Sequence, residues 1–332
     1  MHWELIHCGA AGSGIPNPRF GATTWACNGR LWLFSGGIAD GDALLSDLWR
    51  FDVAAKTWSV QAAVGKWPTG RLSAAAWVEG SVLFMYGGTL GSQLLDDWWS
   101  FDTRGDSWSQ RESSDPSPGR RAGSVVWHDG ERFARLFGGI GADQSGQITV
   151  LDDLWSHSSA DDTWCRHGFE QGRLPSPRTS SSSCIAADEC WVYDGLPPLD
   201  RHGHAISDLW AFDKRSATAK KFWPLNEGNE CDGPAARVGA TLFSDRDNQI
   251  YLFGGLGTGH HSSLLNDLWR FDPPSHKWRL LSDGEGSKPW PSPRSNCSTW
   301  TDEEKRFWLF GGYGPNLIGD ANELCDLWLL TL

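Results

Sequence analysis

Six arginines each close a Pro-X-X-Arg element, at Arg19, Arg71, Arg121, Arg178, Arg237 and Arg294, with steps of 52, 50, 57, 59 and 57 residues between them. A guanidinium offers a planar fork of donors that matches carboxylates, sulfates and phosphates. Six brought to one place would capture an anionic group, such as an acidic side chain of a peptide or a small anion. The competing reading is that each arginine pairs with an acidic residue of its own repeat or the next. A second set of candidates could bind a metal. Asp200, His202 and His204 alternate along one segment, and His260 with His261 stands on another. Imidazole and carboxylate suit Zn²⁺ or non-haem Fe²⁺; otherwise these are solvated loop histidines. Trp67 and Trp290, in "GKWPTGR" and "SKPWPSPR", could stack on a ligand or on their neighbouring prolines. No nucleophile elbow surrounds the serine run Ser180 to Ser183, and no glycine loop opens a helix to cradle phosphate.

The elements that must position these residues recur six times. Aligned on "DLW", the copies are "SDLWRFD", "DDWWSFD", "DDLWSHS", "SDLWAFD", "NDLWRFD" and "CDLWLLT". Upstream of each lies an apolar run closed by paired glycines, such as "LWLFSGG" and "IYLFGG", degenerate only in the fourth copy, where "CWVYDG" puts Asp194 before Gly195. Nine residues after the motif tryptophan stands another in four copies, as Trp49 to Trp58; in the fourth copy the partner is read as Trp223, beyond a lengthened turn. Short runs of Leu, Trp, Phe and Val between Gly/Asp turns suit buried antiparallel strands. Each copy therefore reads as four strands: one after Pro-X-X-Arg, one ending in Gly-Gly, one on "DLWxFD", and one carrying the last tryptophan. A four-stranded unit repeating near every 50 residues is a β-propeller blade. Most of the 22 tryptophans thus become filler between blades: Trp49, Trp99, Trp155, Trp210, Trp269 and Trp328 on third strands, Trp3, Trp58, Trp108, Trp164, Trp223 and Trp278 on fourth strands, and Trp25, Trp77, Trp127 and Trp300 on first strands.

The Gly-Gly, the long loop after it, "DLW", "FD" and the second tryptophan resemble the kelch repeat across essentially the whole chain. The resemblance implies an all-β fold, a six-bladed β-propeller of four-stranded kelch blades over residues 1–332 as a single domain. The sixth copy stops after its third strand, so residues 2–8 ("HWELIHC") are expected to complete the last blade and close the ring, which removes two open sheet edges. Cys8 and Cys325 would then sit on paired strands, as a disulfide or as two thiols.

In such a ring the fourth-to-first and second-to-third connections share one face, at the mouth of the central channel. Rigid scaffolds carry function on such loops. The irregular fourth copy, with Asp194-Gly195 and "TSSSSC", marks the blade four/five side.

Composition limits the partners. The formal net charge is −12 and no Lys/Arg run exceeds a pair, which disfavours nucleic acid and anionic membranes. The start "MHWELIHCGA" lacks a secretory pattern, and eight scattered cysteines without CxxC suit a cytoplasmic protein; the sequon at Asn296 points the other way. A monomer is expected. Kelch resemblance favours a module that binds a protein, a peptide or another anionic ligand at the mouth. The alternative is a small-molecule enzyme, a metal-dependent lyase or isomerase like the plant nitrile and thiocyanate specifier proteins, which hold Fe²⁺ on a Glu-X3-Asp-X3-His run that this chain lacks. A copper-radical oxidase like galactose oxidase is a third, more remote possibility. No cofactor follows from the sequence beyond a divalent metal, Fe or Zn, at the Asp/His loops.

Overall fold

A computed structural model of the chain describes residues 1–8, 14–38, 43–62, 65–112, 116–143, 145–168, 174–198, 205–224, 233–258, 262–285, 289–315 and 321–332. These form six blade sheets, all antiparallel, five running in chain order from an inner to an outer strand and the sixth taking the chain's first strand as its outermost, and no helix occurs among the described residues. In blade one the strands are Thr23–Cys27, Arg30–Phe34, Leu48–Asp52 and Thr57–Val60. Blades three and five break their first strand in two, Arg121–Ala122 before Val125–His128 and Arg237–Val238 before Thr241–Ser244. First strands of neighbouring blades touch in a closed cycle of six, which makes the arrangement a ring.

The core is divided among the joints between blades. Each of the six buried clusters draws its side chains from two neighbouring blades; between blades one and two, Trp25, Trp32, Phe34 and Leu48 meet Leu83, Met85, Trp99, Phe101 and Trp108. Second strands are apolar on both faces because a blade is covered on both sides: Leu31, Trp32, Leu33 and Phe34 are all fully buried. Three of the four first-strand tryptophans bridge the joints with their indole N–H groups, while Trp77 donates to Glu79 of its own blade. Trp25 donates to Phe84 O (2.8 Å), Trp300 to Trp32 O (3.0 Å) and Trp127 to Lys214 O (3.2 Å).

Closure follows the expected route. His2–His7 pairs antiparallel with Leu327–Thr331, in register Trp3↔Leu330, and completes the sheet of Ser298–Thr301 and Phe307–Phe310. Trp3 is 1% exposed and meets Trp328 edge-on at 6.4 Å, the geometry of Trp49 with Trp58 (6.5 Å) and Trp99 with Trp108 (6.4 Å).

Blade four departs from the tryptophan pattern. Elsewhere the fourth-strand tryptophan pairs with the residue two past the motif tryptophan, as in Phe51↔Trp58 and Phe271↔Trp278. In blade four Phe212 pairs with Ala219, and Trp223 lies four residues further on, opposite Leu209. The turn is not lengthened; the place is occupied by alanine, and Phe222 fills the joint instead, 4.6 Å from the Trp191 ring.

At the mouth, second-to-third connections continue as small hairpins. Thr89–Leu90 pairs with Gln93–Leu94 and Tyr313–Pro315 with Ala321–Glu323. In blade three the long strands Phe133–Ala142 and Ile148–Ser158 extend past the sheet, as do Ile250–Gly257 and Leu264–Asp272 in blade five.

Candidate binding site at the mouth of the channel

The six arginines lie beneath the mouth, between 0% and 2% exposed. Each forms a two-pronged ion pair with the aspartate of its own blade's "DLW" motif or its variant: Arg19 with Asp47, Arg71 with Asp97, Arg121 with Asp153, Arg178 with Asp208, Arg237 with Asp267 and Arg294 with Asp326, the shorter prong 2.6 to 2.9 Å. Nη1 also donates to the main-chain carbonyl of the residue at the first Gly-Gly position, from Ser35 O at 2.8 Å to Gly311 O at 3.2 Å. The aspartate is shared, since its Oδ2 accepts the indole N–H of the tryptophan two residues on, at 2.6 to 2.7 Å in all six blades. Pro-X-X-Arg and Asp-Leu-Trp are therefore two halves of one clamp that fixes the first strand to the third.

At Asp47, Asp97 and Asp153 burial pushes the carboxyl up, but the hydrogen bonds and charge of the arginine and the indole outweigh it and hold each below the usual carboxylate range. With their charge balanced and their surface closed to solvent, the arginines serve the framework, and the ring offers no open cationic surface for anion capture.

The two proline-flanked tryptophans are likewise anchored. Trp67 donates from Nε1 to Ser46 O at 2.7 Å and meets Trp108 edge-on at 6.2 Å. Trp290 donates to Asn266 O at 2.8 Å and meets Trp3 at 6.2 Å. Both sit half-buried against a joint, bonded to the residue before the clamp aspartate. Asp200, His202, His204, His260 and His261 lie outside the described residues, and among the described residues no three metal-ligating side chains converge.

The mouth itself is lined by a layer the sequence reading passed over. The residue after each arginine pairs with the residue after the second glycine: Phe20↔Gly37, Leu72↔Thr89, Ala122↔Ile140, Thr179↔Leu196, Val238↔Leu256 and Ser295↔Tyr313. Every blade thus places at least one bulky apolar or aromatic side chain in this layer. Phe20, Leu72, Ile140, Leu196 and Val238 are half-buried, while Leu256 and Tyr313 are 38% and 36% exposed. Beyond them the hairpins add Leu90 (39%) and Ile148 (55%). The signal was present as the position next to each arginine, but its residue type varies from blade to blade, so it does not stand out as a motif.

Comparison with known proteins agrees with this architecture. The family model described as the KLHDC2/KLHL20/DRC7 Kelch-repeats domain matches residues 1–139, and the Kelch motif model matches residues 246–284. An F-box/kelch-repeat protein of Arabidopsis thaliana is 29% identical over 184 residues, 53% of this chain and 37% of the relative. The leucine-zipper-like transcriptional regulator 1 homolog of Drosophila melanogaster is 25% identical over 299 residues, 89% of this chain and 24% of that protein. An N-(sulfonatooxy)prop-2-enimidothioate sulfolyase of Thlaspi arvense is 27% identical over 149 residues, 45% of this chain and 39% of the enzyme. The matched region spans well under two thirds of each of these relatives.

Proposed function

We propose that this chain, a kelch-repeat protein closed as a six-bladed β-propeller, binds a protein or peptide segment at the mouth of its channel through the apolar collar and the hairpins above it. One observation carries the reading. Of the nine large hydrophobic residues exposed among the described residues, Leu90, Ile148, Leu256 and Tyr313 stand on the second-to-third connections of four different blades, all on one face. Apolar groups held at a rigid rim, with an aromatic among them, are what a partner's anchoring side chains require. A small anion has less to hold, because the arginines below are already paired.

The test is selection of a displayed random-peptide library against the protein, followed by affinity measurement of the enriched peptides. Peptides with apolar anchors are expected to bind, with affinity falling at least about tenfold in Leu256→Asp and Tyr313→Ala, and unchanged in Val60→Asp on the outer strand of blade one. Retained affinity in both mouth variants would remove the assignment.

A second reading, a metal-dependent lyase with its site in the same mouth, has in its favour the similarity to the sulfolyase and rests on Asp200, His202, His204, His260 and His261. Stoichiometric Fe or Zn after anaerobic purification, lost in His202→Ala with His204→Ala, is its expected signature; metal-free protein excludes it.

A further inference from the structure

Five of the six joints are closed at the mouth by the same backbone bonds. Two residues past each arginine the chain turns left-handed, with φ between 53° and 66° at Gly21, Ser73, Gly123, Ser180, Gly239 and Asn296, and these residues bond one another around the channel. Ser73 N donates to Gly21 O, Gly123 N to Ser73 O, Ser180 N to Gly123 O, Asn296 N to Gly239 O and Gly21 N to Asn296 O, at 2.9 to 3.1 Å. Outside this circle a second bond runs from the N–H of the second glycine to the next arginine's carbonyl, from Gly36, Gly88, Gly139, Gly255 and Gly312, at 2.8 to 3.4 Å. Neither bond is made between blades four and five, where Gly239 N to Ser180 O and Gly195 N to Arg237 O would complete the two circles.

The cause is Asp194. It occupies the first Gly-Gly position, at φ 62°. A Cβ built on Gly87, Gly138, Gly254 or Gly311 at that position comes within 2.5 to 2.9 Å of the next arginine's carbonyl oxygen. A side chain there must push the next blade's strand aside. Blade one shows the mild form: Ser35 stretches its joint's bond to 3.4 Å and repairs it by accepting from Arg71 N at 2.6 Å.

At Asp194 the repair is different. Oδ1 accepts from Ser182 N at 3.0 Å, Oδ2 lies 3.2 Å from Ser182 Oγ, and that hydroxyl lies 2.9 Å from Ala240 O of blade five. The serine has one proton, and a carbonyl can only accept. When the proton goes to Ala240 O, Asp194 Oδ2 must supply the other contact and is a neutral acid. The charged groups around it leave it so. Arg178 on its own blade and Arg237 on the next are each bound to an aspartate, Asp208 and Asp267, and Tyr193 beside it is a neutral phenol. Burial dominates and drives the Asp194 carboxyl well above the usual carboxylate range, the Ser182 bonds and the two arginines opposing it only in part.

We infer that the joint between blades four and five is a proton-linked hinge of the mouth, closed by the neutral Asp194–Ser182–Ala240 relay and opened with loss of the Asp194 proton. The closed joint binds a proton that the opened, solvated one does not. Opening is therefore favoured as pH rises, by about tenfold per unit between the usual carboxylate range and the raised pKa of the closed state.

Hydrogen exchange measured by mass spectrometry from pH 6 to 9, with each segment normalised to its intrinsic rate, tests this. Segments spanning 180–183 and 237–244 are expected to lose protection with pH, while 73–76 and 121–123 at the joint of blades two and three, where both bonds are made, hold theirs. Asp194→Asn, which donates and accepts in the same places, is expected to abolish the excess; Asp194→Gly is expected to abolish it too, and to give the joint the protection of the other five. An infrared band of a protonated carboxyl at neutral pH, absent in Asp194→Asn or Asp194→Gly, supplies the readout if either variant is poorly stable. Equal pH response at both joints, persistence of the excess in Asp194→Asn, or no such band overturns the proposal.

Discussion

His157 shows how one substitution within a repeat changes what a joint responds to. It stands where four other blades carry phenylalanine (Phe51, Phe101, Phe212 and Phe271), fully buried, its ring 4.5 Å from Trp98 and 4.8 Å from Trp164, and neither ring nitrogen is hydrogen-bonded. Burial pushes the imidazole down to about 4, against the pull of Glu79 and Asp162. An unfolded histidine titrates near 6.5, so the depressed folded value means stability that is complete above that pH and lost as pH falls toward 4. The loss is expected to approach roughly 3 kcal/mol. His157→Phe should remove it, seen as a smaller fall in urea midpoint from pH 7.5 to pH 5 than the chain with His157 shows, both measured in an Asp194→Asn background that silences the opposing titration of Asp194. The clamp aspartates act in the same direction at lower pH, because Asp47, Asp97 and Asp153 lose their ion pairs as they protonate. Within a clamp, Arg71→Ala strands the Asp97 carboxylate and is expected to cost about 3–5 kcal/mol, and the double variant Arg71→Ala, Asp97→Ala less than that. A denaturation series comparing the two reads the difference.

At the scale of the strand, each repeat's letters have distinct duties, and only some could be read without the structure. The aspartate of "DLW" could be placed on a third strand from spacing, but its binding of both Arg and Trp could not, because the arginine lies 26 to 32 residues away along the chain. Trp223 was legible as a packing residue and misplaced by four residues, because fourth strands tolerate a shift of the aromatic when a neighbour such as Phe222 fills the joint. The glycines before the mouth were legible as turns; their deeper requirement is that the next blade's carbonyl lies where a Cβ would be. Gly87→Ala, with 2.5 Å to Arg121 O and φ 65°, is therefore expected to destabilise by about 1–3 kcal/mol, and Asp194→Gly to stabilise. Opposite shifts in thermal midpoint would bear out a single cause acting in two blades; shifts of the same sign would refute it.

For the ring as a whole, blade count and closure were legible because they follow from counting copies, whereas the mouth's chemistry was not, because it depends on which side chains remain exposed once the clamps have formed. Closure also makes stability non-local. Without His2–His7 the last blade would keep three strands, Trp3 would leave the joint it shares with Phe253, Trp290, Phe307 and Trp328, and Leu327–Thr331 would expose an unpaired edge, a template for pairing with other chains. Burial of one tryptophan with its strand is worth several kcal/mol on the usual area scale, a large part of a typical domain's net stability. A variant lacking residues 1–8 is therefore expected to melt at a markedly lower temperature and to associate on sizing columns. A synthetic peptide of residues 1–8 should bind it by completing the sheet and restore both the melting temperature and the elution position of the full-length chain. If the peptide fails to rescue a truncated protein that still folds, the strand is dispensable to closure and the ring is held by its inner strands alone.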